Sequence, residues 1–375
     1  MKYTCVNKVE VDFYPWFDPD IGHHRFTYLQ IFEALGGDLP YGQMGMVMNG
    51  SKEALKLDDE ERTGELTITD TQDGGISYTI PIFITRLTRN ANIVNIDFLC
   101  IPKQTFVTDL KTELYKDAKI KDVIESAYPG KVDFRTEPDI QDSLDFYQNQ
   151  ETLSSFCSKL CYSYKKNSVF GYSWDGLFIK DVFGEYNSRG NMEPDDSMWI
   201  RGDSEFAQLG GTSKSRDRGL YFETQNLWED KKGIYATKDY SEVEPINLRM
   251  IRRFNTDYYF NSKYSALFEN FSENQYKINS SLYQGVVVSD FFRMPGYKLG
   301  DVLNYNKESY KTSESFNWPY KYYLVRSNEL FISIDGLKRD VNGQCFSWIS
   351  YLVGLEEDGT IAINPKQDPT VDDKK

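Results

Sequence analysis

The sequence predicts a mainly β protein with an α+β insert, in which two small antiparallel β-barrel domains flank a helix-containing middle domain. Short stretches of alternating apolar and polar residues recur towards both ends of the chain, with turn signals between them. One stretch near the middle has helical spacing instead. Aromatic residues make up 15% of the chain, and Tyr and Phe favour strands and contact surfaces.

The segment from Asn149 to Val182 is the one around which the rest of the chain is organised. It opens with six apolar residues spaced to share one helix face, and Asn149 precedes them as a candidate N-cap. The six are Leu153, Phe156, Cys157, Leu160, Cys161 and Tyr164. Two apolar runs follow, 169–174 and 177–182. Asp175–Gly176 between them predicts a two-residue hairpin turn with both central φ angles positive, so Gly176 is a structural turn residue.

The first predicted barrel occupies residues 1–112. Alternation or β-favouring composition predicts its strands at 9–13, 25–35, 44–48, 65–71, 78–84 and 94–100. Pro81 indicates an edge or a bulge in the fifth of these. Loops or turns are predicted at 15–24, 36–40, 73–75 and 90–92, and a short helix at 51–57.

The predicted middle domain combines residues 113–218 with 241–280. Ile120, Val123, Ile124 and Ala127 predict a short amphipathic helix that ends at Pro129. Residues 187–218 are rich in Gly, Ser and Asp, which indicates a loop. This loop is either a mobile, partner-binding segment or an ordinary surface insertion. A second helix is predicted over 256–277.

The second predicted barrel combines residues 219–240 with 281–363, and a polar, flexible tail occupies 364–375. Its strands are predicted at 286–288, 298–305, 320–326, 330–337 and 345–355. Turn signals stand at 343 and 358–359, and Pro295 and Gly296 form a structural turn. Phe291, Phe292 and Arg293 flank the Pro-Gly turn and are candidate interface residues; the alternative is that one Phe packs in the core.

Length and charge limit the classes of function. A chain of 375 residues is expected to hold two or three domains. Its net charge of −14 argues against a basic groove that wraps nucleic acid, because phosphate binding needs Lys and Arg. The negative charge has two interpretations: it keeps the protein soluble, or it forms an acidic surface that repels DNA.

The five cysteines do not form the pattern of a disulfide framework, because their number is odd and their spacing is scattered. Cys157 and Cys161 lie on the apolar helix face, where core packing is favoured over metal binding because no second Cys or His pair accompanies them. No run of about 18 apolar residues predicts a membrane span. We expect a soluble protein made in a reducing cytoplasm.

The sequence contains no recognisable catalytic constellation. The two histidines are the adjacent His23 and His24, and no nucleophile elbow, zinc-protease motif or phosphate-binding glycine loop is present. Asp175 beside Trp174 and Glu229 beside Trp228 are typical neighbours in sugar sites, but such pairs arise by chance among 57 acidic residues. We predict no catalytic residue, no cofactor and no metal site.

Several segments resemble the central baseplate hub protein of contractile-tailed, T-even-type phages, a family related to the hub part of type VI secretion spike proteins. The similar segments are 25–57, Ile120–Tyr128, Asp145–Leu160 with the hairpin after it, and Gly285–Val302 with its Pro-Gly turn. The resemblance covers roughly residues 9–365 and is distributed, without one sharp motif. Residues 187–218 depart from the pattern, which leaves the bounds of the insert open.

The resemblance implies a structural homotrimer in the virion tail baseplate, assembled in the host cytoplasm. Two similar barrels in each of three subunits make a pseudo-six-fold ring, which adapts a hexameric tail tube to a trimeric central spike. The implied partners are further copies of the chain, the tube protein, the spike protein and other baseplate proteins. DNA passes through the lumen, and no membrane is involved. The alternatives are a hub or distal-tail protein of another tail or contractile injection system, and a carbohydrate-binding or glycan-hydrolysing β protein.

Overall fold

The computed structural model describes residues 2–4, 9–14, 23–49, 62–71, 75–184, 199–201, 218–230, 233–242, 247–259, 265–280, 286–290, 294, 297–304, 320–333 and 345–361. Within these ranges the chain is mainly β, with four helices along its length. The strands up to residue 181 are β1 (Lys2–Thr4), β2 (Val9–Tyr14), β3 (His23–Ala34), β4 (Tyr41–Asn49), β5 (Thr63–Asp70), β6 (Ser77–Asn90), β7 (Ile93–Leu99), β8 (Leu110–Ala118), β9 (Val132–Phe134), β10 (Leu144–Thr152), β11 (Ser168–Ser173) and β12 (Gly176–Asp181).

The later strands are β13 (Trp199–Arg201), β14 (Arg218–Asp230), β15 (Gly233–Glu242), β16 (Asn247–Tyr259), β17 (Val286–Asp290), β18 (Val302–Asn304), β19 (Tyr322–Ser333) and β20 (Phe346–Gly354). The helices are α1 (Thr105–Thr108), α2 (Ile120–Ala127), α3 (Leu153–Ser163) and α4 (Ser265–Ser280). None of the helices within the described ranges has the length and apolar character needed to span a membrane.

One large sheet contains strands from both ends of the chain. Among the described strands, twelve form a curled antiparallel half-barrel in the order β1-β2-β5-β6-β7-β4-β3-β19-β20-β17-β13, with β18 beside β19. We call β1 to β7 the first β block and β17 to β20 the second. The two blocks meet at a seam where β3 pairs with β19, and Ile31 lies opposite Leu330 there. The prediction of a mainly β chain with a few helices is confirmed. The two predicted barrels differ from the structure, because the described strands of both are joined in one curled sheet.

Burial explains why the alternating sequences form these strands. In β5 the side chains of Leu66, Ile68 and Asp70 are buried, while the residues between them are partly or largely exposed. The same period of two buries Met44 and Met46 in β4. A strand with one buried face needs this alternation. Each of the six strands predicted between residues 9 and 100 is present, as β2 to β7, and these predictions are confirmed.

Pro81 lies where β6 has one neighbour. Pro81 is opposite Glu65 of β5, whereas β7 pairs with β6 only from Phe83 onwards. The residue is therefore on a locally unpaired edge, as predicted, because proline has no N–H to give to a second ladder.

The insert packs α2, α3 and α4 against the β11–β12 hairpin. Ile120, Val123, Ile124 and Ala127 are all buried, which confirms the predicted short helix. Cys157 and Cys161 on α3 are buried in the same apolar cluster. The hairpin is also confirmed, with Ser173 opposite Gly176.

Two details of this stretch differ from the prediction. The N-cap of α3 is Thr152, whose Oγ1 accepts a hydrogen bond from the Ser155 backbone N–H at 3.2 Å. Asn149 is instead within β10, opposite Thr112 of β8, because the pairing of those two strands extends the chain up to the helix. In the hairpin, Gly176 has φ +121°, and Asp175 does not have a positive φ.

Three further predictions are corrected by strand pairing. Residues 256–259, predicted as the start of a helix, belong to β16, which pairs in parallel with β14, so the helix begins at Ser265. Within 219–240, which was predicted as part of the second barrel, β14 pairs with both β15 and β16 in a three-stranded sheet apart from the large one. The strands predicted at 320–326 and 330–337 are one strand over the described residues, β19 from Tyr322 to Ser333, with a register shift between Val325 and Ser327.

Two shorter segments are also corrected. Strand β18 starts only at Val302, after Gly300 with φ +76°. Within the predicted 187–218 loop, Trp199–Arg201 forms a strand that pairs with β17.

The predicted turn at Pro295 and Gly296, the candidate interface residues Phe291, Phe292 and Arg293, the 51–57 helix and the 364–375 tail lie outside the described residues. The rest of the 187–218 loop also lies outside the described residues, except for Arg218, where β14 begins. The predicted turns at 90–92 and 358–359 are present, with Ala91 at φ +54° and Gly359 at φ +80°.

Candidate functional site

The tip of the β11–β12 hairpin is held against the buried face of the large sheet. Trp174 at this tip is buried and meets Tyr78 of β6 edge-on, with ring centroids 5.6 Å apart. It meets Trp348 of β20 in a similar geometry at 5.1 Å. One aromatic side chain of the insert therefore packs against a strand from each β block.

A row of polar side chains crosses the seam beneath this tip. Glu33 of β3, Asn328 of β19 and Ser350 of β20 are direct cross-strand neighbours. The Glu33 carboxylate accepts from Asn328 Nδ2 at 2.7 Å and from the Trp174 backbone N–H at 3.2 Å. Ser350 Oγ donates to Asn328 Oδ1 at 2.6 Å and accepts from Trp348 Nε1 at 3.0 Å. We call this group of five residues the junction; its members are Glu33, Asn328, Ser350, Trp348 and Trp174.

The electrostatics of the junction are dominated by burial. Glu33 is 5% exposed. Burial raises the pKa of its carboxyl to about 7, although the hydrogen bonds from Asn328 and Trp174 oppose this shift. Burial also raises the pKa of the Tyr78 hydroxyl and of the Cys100 thiol, and the Glu33 charge adds to both shifts.

An exposed ion pair lies beside the junction. Asp175, next to Trp174, pairs with Lys298, and the Lys298 Nζ lies 5.7 Å from the centre of the Tyr78 ring. The Trp174 indole N–H is buried and has no hydrogen-bond partner within the described part of the chain. An unsatisfied buried donor lowers the stability of the docked tip.

The base of the hairpin is attached to the end of β3. The Gly36 backbone N–H donates to the Phe170 carbonyl at 2.8 Å, and the Leu35 N–H donates to the Arg326 carbonyl at 2.8 Å. Gly36 has φ +98°, and a Cβ there would approach the Tyr162 hydroxyl to 2.8 Å. The insert is therefore joined to the sheet at both ends of the hairpin.

The sugar-site hypothesis at Trp174 and Asp175 does not fit this geometry. A carbohydrate platform needs an exposed aromatic face, but Trp174 is buried and Asp175 is paired with Lys298. The second pair, Trp228 and Glu229, belongs to β14. Within the described residues, no three His, Cys, Asp or Glu side chains are grouped so that they could hold a metal ion.

An exposed apolar surface occurs on the ribbon formed by β8 and β10. Leu114 of β8 is opposite Tyr147 of β10, and they are 47% and 42% exposed. Leu110 nearby is 70% exposed. The opposite face carries Tyr115, which stacks on Phe156 of α3 with centroids 5.6 Å apart. The alternation of Leu144, Phe146 and Gln148, all buried, was the sequence signal for β10, and the sequence prediction missed it.

Comparisons with known proteins give matches at the level of structure alone. No protein-family model and no curated protein sequence matches the chain. The c3393 protein of E. coli matches with a TM-score of 0.54 at 9% identity, over 95% of this chain and 80% of that chain. It is described as a component of the type VI secretion system with structural similarity to the T4 bacteriophage tail proteins gp27 and gp5.

A second structural match is the 43 kDa tail protein of prophage MuSo2 from Shewanella oneidensis. Its TM-score is 0.50 at 10% identity, over 94% of this chain and 99% of that chain. The fold of the chain is thus similar, over almost its full length, to that of a phage tail protein and of a secretion-system component.

Proposed function

We propose that this chain, which has the fold of phage tail and type VI secretion hub components, is a structural baseplate hub subunit of a phage tail. The observation that carries the proposal is the structural match over 94% of this chain and 99% of a prophage tail protein. The match to a protein compared with T4 gp27 supports the same role. We assign no catalytic residue, since the junction holds segments together and exposes no reactive group.

In the proposed assembly, three copies form a pseudo-six-fold ring. Each copy contributes the first β block from within residues 1–112 and the second from within 281–363, with 113–280 as the insert, because β14, β15 and β16 form a sheet apart from the large one. Duplicated domains in a trimer present six similar docking surfaces to a hexamer, which resolves a symmetry mismatch. Two β blocks on either side of the β3–β19 seam support this arrangement.

The proposed partners follow from that position in the tail. The ring docks on the tail tube, holds the trimeric spike and contacts other baseplate proteins in the virion. DNA passes through its lumen, and a net charge of −14 suits a wall that repels phosphate. The runner-up is a hub of another contractile injection system. One observation favours it: the match with the TM-score of 0.54 is a secretion-system component.

The oligomeric state tests the proposal most directly. Light scattering on the purified chain should give three times 43.6 kDa over a wide range of concentrations. Obligate interfaces bury roughly 2,000–5,000 Å², so the trimer should resist dilution. A chain that stays monomeric at every concentration, alone and with candidate spike protein, would contradict the proposal and make a glycan-binding screen the next experiment.

Charge reversal at the candidate interface refines this test. If Phe291, Phe292 and Arg293 contact a neighbouring copy, Arg293→Glu should shift the mass distribution towards monomer. Lys103→Glu, at an exposed lysine shortly after β7, serves as the matched control. Equal masses for both variants and the wild type would remove Arg293 from the interface.

A further inference from the structure

We propose that the junction is a proton-responsive latch: the Glu33 carboxyl holds the tip of the hairpin, and ionisation of Glu33 weakens that hold. This inference goes beyond the proposed hub function and does not depend on it, because it concerns contacts within one chain. It rests on a buried row of hydrogen-bonding groups across three strands and on the segment that the row holds.

The junction allows two consistent hydrogen-bond arrangements. Both described partners of Glu33, Asn328 Nδ2 and the Trp174 N–H, are donors, which suits an ionised carboxylate. A neutral Glu33 carries a proton that needs an acceptor. Rotation of the Asn328 amide supplies it, because Oδ1 then faces Glu33 and Nδ2 faces Ser350 Oγ.

The rotation extends the effect of the proton across the seam. Ser350 Oγ donates to Asn328 in the first arrangement and accepts from Asn328 in the second. Trp348 Nε1 donates to the same oxygen at 3.0 Å in the structure. The environment of the indole N–H therefore differs between the two arrangements. The proton on Glu33 is thereby coupled to β20 through Asn328 and Ser350.

Among the titratable groups that interact with Glu33, Glu33 itself is the one that changes its protonation state near neutral pH. From the hairpin tip, Asp175 disfavours ionisation, and Lys298, its ion-pair partner, favours it. Tyr78 on β6 and Cys100 after β7 also interact with the charge, but burial raises the pKa of both groups. Neither therefore ionises between pH 4.5 and 8.

The sign of the effect follows from proton linkage. The pKa of Glu33 is about 7 when the tip is docked, against an ordinary value of 4.5. The docked state binds the proton more tightly, so docking is strongest below pH 4.5 and weakens as the pH rises to about 7. The ratio of undocked to docked tips should increase over that range by at most roughly two orders of magnitude, the limit for an undocked Glu33 that is fully hydrated, and stay constant above it.

Hydrogen–deuterium exchange of the full-length chain tests the latch. After correction for the intrinsic pH dependence of exchange, protection of the amides in 168–182 should fall between pH 5 and pH 8. Glu33→Gln cannot ionise and should remove this change. Glu329→Gln is the matched control: Glu329 lies on the other side of the same seam, on β19, is partly buried and accepts from Gln30 Nε2 at 2.7 Å. It should behave as the wild type.

The wild-type chain gives a second readout that remains available if Glu33→Gln does not fold. The indole N–H resonance of Trp348, assigned by its loss in Trp348→Phe, should shift with pH with a midpoint near 7. A pH-independent hairpin in the wild type, a pH dependence that persists in Glu33→Gln, or an indole resonance that does not move would each overturn the latch.

Discussion

Lys180 is a buried cationic side chain in β12, directly after three apolar residues. It is 1% exposed, and its Nζ lies 2.8 Å from Asp301 Oδ1. The same ammonium lies 5.3 Å from the centre of the Phe178 ring. A buried cation needs such partners, because its transfer out of water is costly. The pair joins the insert to the segment that leads into β18.

Removal of the carboxylate should therefore be more damaging than removal of the ammonium. Asp301→Asn keeps the shape of the side chain but leaves the Lys180 charge buried without its anionic partner, and we expect unfolding free energy to fall by about 3 kcal/mol. Lys180→Met removes the charge itself and should cost less. Urea denaturation of both variants measures the difference. Equal losses would mean that packing of the lysine chain, and not its charge, stabilises this site.

Gly176 is the residue on which the shape of the hairpin depends. Its φ is +121°, and an added Cβ would lie 2.5 Å from the Lys131 carbonyl oxygen. That carbonyl accepts a hydrogen bond from the Leu177 N–H at 3.1 Å, so it cannot easily move.

We expect Gly176→Ala to lower the unfolding free energy by about 2 kcal/mol or more, through strain and steric conflict. Gly184→Ala is the control, because the nearest atom to its Cβ would be 3.5 Å away, an ordinary contact. The control should change stability by no more than about 0.5 kcal/mol. Thermal unfolding of both variants compares them, and a tolerated Gly176→Ala would show that the turn has a different conformation.

A buried asparagine of α4, Asn274, caps the C-terminal end of α3. Asn274 Nδ2 donates to the carbonyls of Tyr162 and Lys165 at 2.9 and 2.6 Å, at the point where α3 leaves its last turn. The Tyr162 carbonyl is in the last turn of α3, where the helix itself supplies no donor, and the Lys165 carbonyl just beyond the helix also accepts from Ser168 Oγ at 2.7 Å. The contact fixes where the chain turns from α3 into β11.

Asn274→Ala should cost about 2 kcal/mol, because it removes the amide donor from the buried Tyr162 carbonyl and one of two side-chain donors from the Lys165 carbonyl. Lys277→Ala on the same helix breaks an ion pair with Glu273 at 2.7 Å and should cost about 0.5 kcal/mol or less. Hydrogen exchange should increase at residues 160–168 in the first variant alone. Similar exchange in the two variants would argue against the capping role.

The limits of prediction from sequence follow from which contacts are local. The strands from β2 to β7 and the β11–β12 hairpin could be predicted because alternation and turn residues are local signals. The inward direction of Glu33 follows from the same alternation, since Ile31 and Glu33 share a face of β3. The partner of Glu33 could not be predicted, because Asn328 is 295 residues away in the sequence.

Two of the missed elements depend on distant pairing or on exposure. Strand β16 extends to Tyr259 opposite Leu227 of β14, so strand pairing overrides the helical spacing that starts at residue 256. Strand β8 is exposed along most of its length and has no buried face to set an alternation. In both cases the structure is decided by pairing with another strand, and the local sequence pattern does not reveal that pairing.

At the scale of the whole molecule, the β3–β19 seam makes the two β blocks parts of one sheet. Leu330 at the seam is fully buried, with Ile31 on one side and Trp348 on the other. The hairpin tip adds contacts to Tyr78 and Trp348, one in each block. A sheet that is continuous in this way should unfold as a single cooperative unit.

Leu330→Ala tests this expectation. The cavity should lower the unfolding free energy by about 3 kcal/mol. Because the blocks share the seam, native-state hydrogen exchange should accelerate equally in β6–β7 and in β19–β20, although β6–β7 does not contact the substituted residue through strand pairing. Leu114→Ala, at a position 47% exposed on the ribbon, should leave both regions within about 0.5 kcal/mol of the wild type. Faster exchange in β19–β20 alone would show that the two blocks are separately stable, as two independent barrels would be.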